Sequence, residues 1–222
     1  MGSSVDPQQF LIALESFRAQ KYVVPRSLAL YAAAVALADE PAMTAALKLA
    51  RQQSIERALC YEIVLQSYLF LGFPRMLGAT EHLEKTLPSE KRKSALEMVS
   101  EQESKHWYIN GLALCKRIYG TNFESLKTRI EALSPEIFRW MIIEGYGKVL
   151  SRPGLGIVER ELANVAFLMV EDREQQLHSH MRGALNVGAT EELLKAVVFD
   201  IGEAAGSGYA TALDVLKKFG IK

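Results

Sequence analysis

The sequence predicts an all-α fold, and three observations carry that expectation. Apolar residues recur at helical spacing, as in Leu193, Leu194, Val197, Val198 and Ile201, which form a wide stripe on one helix face. No segment shows sustained two-residue alternation of β-branched and polar residues bounded by hairpin turns. The seven prolines, at positions 7, 25, 41, 74, 88, 135 and 153, mostly fall just before or at the start of apolar-periodic stretches. A missing N–H costs a helix little there. Together these features predict about ten or more helices of ordinary length, roughly 11–12 residues each, and no sheet.

Taken in order, the elements have local reasons. Leu59 opens an apolar stripe that Ile63, Val64 and Leu65 continue. Residues 89–105, SEKRKSALEMVSEQESK, are strongly charged with few apolar positions. They are expected to form a solvated helix joining two halves. Gly120 and Gly188 fit helix C-terminal stops. Ser134, Pro135 and Glu136 read as N-cap, first helical residue and first-turn acid. Thr190, Glu191 and Glu192 repeat that pattern ahead of Leu193. Trp140 and Tyr146 are expected to pack in apolar surroundings. His82 and the His106–Trp107 pair are expected at the surface.

Composition narrows the function classes. A chain of 222 residues with 49% apolar residues can bury one sizeable core or two small ones. Its 26 basic and 26 acidic residues leave no net charge, so the basic excess of a nucleic-acid footprint is missing. No apolar run approaches the roughly 18 residues of a membrane span. The first residues lack the basic start and apolar stretch of a signal peptide, and a cytoplasmic protein is expected. Cys60 and Cys115 lie far apart among apolar neighbours and read as small buried hydrophobes. His178 and His180 are two apart, which on a helix points the rings away from each other. No metal site is expected there, and no cofactor elsewhere.

The two halves read as diverged copies. At an ungapped offset of 134 residues, Arg26 meets Arg160, Leu28 meets Leu162, Ala29 meets Ala163 and Ala50 meets Ala184. Leu59 also meets Leu193, Val64 meets Val198 and Gly72 meets Gly206. A unit whose apolar face one copy cannot cover would bury it against the other.

Particular segments then resemble a known family. Residues 146–163, YGKVLSRPGLGIVERELA, are similar to the opening of the carboxymuconolactone decarboxylase repeat. Residues 178–199, HSHMRGALNVGATEELLKAVVF, resemble its continuation. Residues 65–79, LQSYLFLGFPRMLGA, resemble its later part with a Gly-Phe-Pro turn. The resemblance implies an all-helical, alkylhydroperoxidase D-like bundle and a homo-oligomer, since family members usually assemble into rings built from trimers.

It also implies where the chemistry would sit. The redox branch of this superfamily shows Glu-x11-Cys-x2-Cys-x3-His. On the second half that pattern puts the Glu on Glu161 and the His on His180, but the cysteines on Arg173 and Gln176. Neither side chain forms a thiolate, so thiol peroxidase chemistry is disfavoured. On the first half all four positions are lost, to Ser27, Asp39, Ala42 and Ala46. The decarboxylase branch keeps the Glu and the His without cysteines. By that resemblance Glu161 and His180 are the candidate acid–base pair. Arg173 and Arg152, with Arg160 as a further candidate, would hold a substrate carboxylate.

Each residue also has a plainer reading. Glu161 lies near a helix start, where an acid is favoured anyway. His180 could be a hydrogen-bonded core histidine. Arg173 could be a surface charge, and Asp200 and Glu203 solvated or interface acids. The domain reading is 7–88 as a first, degenerate repeat, 89–119 as a charged helical connection and 120–222 as the repeat with the site. Two functions follow: a lyase acting on a small carboxylated lactone or related acid, or a non-catalytic helical scaffold or small-molecule binder.

Overall fold

A computed structural model describes residues 5–89 and 99–221. All of the regular structure in them is helical, with no strand among the described residues. The order is α1 (Pro7–Ser16), α2 (Val23–Leu37), α3 (Glu40–Gln52), α4 (Arg57–Thr86), α5 (Glu101–Tyr119), α6 (Phe123–Leu133) and α7 (Pro135–Trp140). A π-helical segment (Met141–Leu150) follows, then α8 (Ile157–Val170), α9 (Glu174–Val187), α10 (Glu191–Ile201) and α11 (Ser207–Lys218). Short 3₁₀ turns occupy Gly120–Asn122 and Gly202–Ala205.

Several boundaries follow the expected chemistry. Ser134 caps α7 by accepting from the Ile137 N–H, and Thr190 caps α10 by accepting from the Leu193 N–H. Gly120 and Gly188 end their helices with positive φ. In α4 the chain bends at Gly72, whose φ of 77° no helix contains. Pro74 then lies just inside the second limb, where its missing N–H has no helical partner to lose.

The chain divides into two compact units, one made of Met1–Pro88 with Gly154–Lys222 and the other of Ser89–Pro153. This division differs from the boundary expected at 119/120. α5 packs along the π-helical segment, so residues 101–119 belong to a helical unit with residues 120–153. Two glycines permit that approach. A Cβ at Gly111 would lie 2.0 Å from the Ile142 carbonyl oxygen, and one at Gly147 would lie 2.0 Å from that of Trp107. Cys115, Ile118, Phe123, Phe138, Ile142 and Tyr146 are buried and give this unit its own apolar centre. The charged character of residues 89–105 extends only into the exposed first turn of α5, and residues 90–98 lie outside the described residues. Trp140, expected to pack, is 61% exposed.

In the larger unit α2 and α8 form the centre and pack against each other. From Ser27 to Ala36 and from Arg160 to Val170 every residue is buried. A helix apolar on all sides has to be enclosed by others. α3 and α4 pack on α2, and α9, α10 and α11 pack on α8. The partners also cross over, with α4 on α8 and α10 on α2. Each fully buried Leu, Ile or Phe in this core contributes roughly 1.5–3 kcal/mol.

The offset of 134 residues recurs in the backbone. The helix starts Val23, Glu40 and Arg57 precede Ile157, Glu174 and Glu191 by that interval. So do three positive-φ residues: Ala38 and Asp172, Ser54 and Gly188, Gly72 and Gly206. Arginine hydrogen bonding follows the same cross-over. Arg26 on α2 donates from Nε and Nη2 to Asp200 on α10, each at 2.7 Å. Arg160 on α8 donates to Gln66 on α4, at the positions 134 residues from Arg26 and Asp200.

Candidate functional site

The polar residues of the larger unit's centre stand out against the apolar helices that carry them. α8 is apolar from Leu162 to Val170 except at Asn164. α4 places Glu62 and Gln66 four residues apart, hence on one face, within a stretch that includes Ile63 and Val64. α9 contributes His180. All of these, with Arg160 and Glu161, are buried. Buried polar groups must find partners or cost stability, and here they find one another.

Glu161 and His180 are brought together. His180 Nδ1 lies 2.9 Å from Glu161 Oε2, with the Glu161 side chain fully buried. Asn164 Nδ2 donates to Glu161 Oε1 at 3.1 Å and lies 3.3 Å from His180 Nδ1. Gln66 Nε2 donates to Asn164 Oδ1 at 2.5 Å and to the Arg160 carbonyl oxygen at 2.8 Å. Arg160 closes the chain, donating from Nη1 to Gln66 Oε1 at 3.2 Å and from Nη2 to Glu62 Oε2 at 2.9 Å. The Phe70 ring meets the His180 ring edge-on, with centroids 5.3 Å apart. A carboxylate against Nδ1 orients the imidazole, leaving Nε2 as the nitrogen that can exchange a proton with a substrate.

Of the two arginines expected to hold a carboxylate, Arg173 stands away from the pair. Arg173 is the exposed N-cap residue of α9, seven residues before His180 and so about 10 Å away along the helix axis. Arg152 is exposed and belongs to the smaller unit. Arg160 is the arginine at the site, but its guanidinium is engaged by Glu62 and Gln66. Gln176, at the other lost cysteine position, is exposed. Asp200 pairs with Arg26. His178 turns away from His180 and packs edge-on against Phe219, with centroids 4.9 Å apart.

Sequence reasoning missed Asn164, Gln66 and Glu62. Their signal was present as polar residues inside otherwise apolar helical stripes. His82 was also misplaced: it is buried, with Nε2 3.1 Å from Thr44 Oγ1 and 3.3 Å from Thr86 Oγ1. The bend at Gly72 separates its limb of α4 from the first, and that limb carries His82 to α3.

Cys60 and Cys115 are both buried free thiols, one in each unit. Burial pushes the Cys60 thiol up to about 11, the opposite of what a peroxide-reducing thiolate needs. Among the described residues no group of three His, Cys, Asp or Glu side chains is placed to hold a metal ion. None of the described helices is long and apolar enough to cross a membrane.

Residues 135–218, which include Glu161, Asn164 and His180, match the sequence profile of the Carboxymuconolactone decarboxylase family. Over this segment the chain is similar to that family. The family segment is also similar to 4-carboxymuconolactone decarboxylase of Acinetobacter baylyi, 35% identical over 81 residues, which cover 34% of this chain and 60% of that protein. Two further relatives reach outside the family segment. Peroxisomal protein 2 of Saccharomyces cerevisiae is 24% identical over 160 residues, covering 61% of this chain and 56% of that protein. Peroxisomal protein 2 of Schizosaccharomyces pombe is 24% identical over 163 residues, covering 70% of this chain and 74% of that protein. The match thus spans little more than half of the budding-yeast relative and of the bacterial one.

Proposed function

We propose that the larger unit is an acid–base lyase of the carboxymuconolactone decarboxylase type, acting on a small carboxylated lactone or a related organic acid. The observation that carries this reading is the buried contact of 2.9 Å between Glu161 Oε2 and His180 Nδ1. The similarity to a decarboxylase over the segment containing both residues supports it.

The chemistry asks for little more than a placed proton. The bond between the ring carbon and its carboxylate breaks, and carbon dioxide leaves. The electron pair stays on carbon, delocalised toward the lactone carbonyl, until His180 Nε2–H delivers a proton there. In the protonated ring Glu161 holds the Nδ1–H and Nε2–H is the donor. Water returns the proton to Nε2 afterwards. No oxidant or reductant enters. The test is carbon dioxide release from 4-carboxymuconolactone by the intact chain, with His180→Ala and Glu161→Gln as controls.

One observation favours the non-catalytic alternative. The buried arginine at the site is already neutralised by Glu62, so it offers no open cation to a substrate carboxylate. In that reading the network is a structural core and the protein binds or scaffolds. Wild type and His180→Ala then behave alike in the same assay.

The tandem arrangement belongs to this proposal. Residues 23–86 and 157–218 are read as diverged copies, supported by the shared offset of helix starts and positive-φ residues. The first copy would be a packing partner, since Ser27 and Ala46 stand where the second has Glu161 and His180. A homo-oligomer is carried forward on the resemblance and is checked by light scattering. The relatives' peroxisomal names set a peroxisomal location beside the cytoplasmic one, and imaging of the tagged chain against a peroxisomal marker separates them.

A further inference from the structure

We infer that Gln66, contributed by the first half of the chain, is a positioning residue that fixes the tautomer of His180 in the second half. The inference rests on the acid–base reading for its functional meaning, and on donor and acceptor chemistry for its structure.

The chain of hydrogen bonds has only one consistent direction. An arginine side chain donates and never accepts. Arg160 Nη1 faces the Gln66 side chain, so the oxygen of that amide is turned toward it. The Gln66 nitrogen therefore points the other way, where it meets two acceptors, the Arg160 carbonyl oxygen and Asn164 Oδ1. The backbone carbonyl can only accept, so it enforces the same orientation independently. Because the Asn164 oxygen is taken by Gln66, its nitrogen faces Glu161 Oε1 and the His180 ring. That N–H is matched to a carboxylate oxygen of Glu161. A carboxylate with Oε2 2.9 Å from Nδ1 then requires the ring proton on Nδ1. Nε2 is left with the lone pair in the neutral ring and is the proton-exchanging nitrogen in the charged one.

A reversed Asn164 amide would set its oxygen against Glu161 Oε1, acceptor against acceptor. The second half cannot prevent this by itself, because α8 and α9 supply no other partner to the Asn164 oxygen among the described residues. α4 supplies it. Glu62 anchors the far end by holding the Arg160 guanidinium in place.

The test is the tautomer of neutral His180, read from the two ring-nitrogen shifts by long-range 1H–15N NMR on the intact chain. Wild type is expected to show a protonated Nδ1 and an unprotonated Nε2; the reverse assignment overturns the inference outright. In Gln66→Met, which is close in size but offers no amide, the protonated-Nδ1 population is expected to fall. In Gln66→Glu the introduced carboxylate accepts from Arg160 but cannot donate to Asn164, and the population is expected to fall further. An unchanged tautomer in folded Gln66→Met and Gln66→Glu proteins assigns Gln66 a packing role only and also overturns the inference. Should both variants fail to fold, the wild-type assignment still tests the direction of the hydrogen-bond chain, and a protonated Nε2 overturns it. Turnover gives a separate readout: kcat is expected to drop roughly a hundredfold, the lower range of general acid–base contributions, with KM little changed. A wild-type chain with Nδ1 protonated and no decarboxylation would sink the proposed reaction while leaving the tautomer assignment intact.

Discussion

Gln66 Nε2 lies 2.5 Å from Asn164 Oδ1, and this contact joins α4 of the first half to the network around Glu161 on α8. The residues at its two ends are buried, so the contact is shielded from competing water. The site in the second half is therefore held by side chains from the first.

The anchor of that network makes a stability prediction. The Arg160 and Glu62 side chains are only 1% and 10% exposed. Removing one partner leaves a charge buried without its counterion, whereas replacing both with apolar residues removes the problem. Glu62→Ala is expected to lower unfolding free energy by about 3–5 kcal/mol in urea titrations. The double variant Glu62→Leu with Arg160→Met is expected to lose much less than the sum of the single changes. Additive losses would mean that the pair is not coupled.

Two hydroxyls on α2 predict the opposite sign. Ser27 Oγ, where the second half has Glu161, and Tyr31 OH are buried with no hydrogen-bond partner among the described residues. An unmet buried hydroxyl costs roughly 1–3 kcal/mol. Tyr31→Phe is expected to raise the thermal midpoint and to add on the order of 1 kcal/mol of stability. A lower midpoint would show that the hydroxyl is satisfied after all.

Cys60 predicts an alkaline limit. Burial raises its thiol from 9.0 to about 11. A group whose folded value lies above its unfolded value contributes stability that is whole below the unfolded one. That stability is lost as pH rises through the folded one. The chain is thus expected to weaken between about pH 9 and pH 11, by about 3 kcal/mol from this residue. Cys60→Ala should remove that part of the loss. At pH 8 the native thiol is expected to resist alkylation that proceeds readily once the chain is unfolded, and fast native labelling would contradict its burial.

Gly208 sets two effects against each other. Alanine is preferred to glycine inside a helix by about 1 kcal/mol. However, a Cβ at this position would lie 1.7 Å from the Met169 carbonyl oxygen on α8, and backbone cannot give way as a flexible side chain can. Overpacking costs roughly 1–3 kcal/mol, so the clash wins and Gly208→Ala is expected to destabilise. A stabilised variant would place α11 farther from α8.

What could be read from the sequence was what depends on neighbours along the chain. Helical periodicity, the caps at Ser134 and Thr190 and the stops at Gly120 and Gly188 are local, and all are found. The Glu161–His180 pairing was legible because a family spacing stood in for the missing third dimension. The rest depends on which helices meet. Arg160 looked like an open cation until Glu62 and Gln66, almost a hundred residues earlier, were seen to engage it. Residues 89–119 looked like a connection because their first part is charged. Their last part is apolar and packs on a segment some thirty residues later. His82 was misjudged for the same reason, since the bend at Gly72 decides what it faces.

The central claim is that the Glu161–His180 pair performs proton transfer, and carbon dioxide release from 4-carboxymuconolactone tests it most directly. The expected result is turnover by the intact chain that falls by about a hundredfold or more in His180→Ala while the variant stays folded. Equal rates in the two proteins, or no release by wild type, would contradict it.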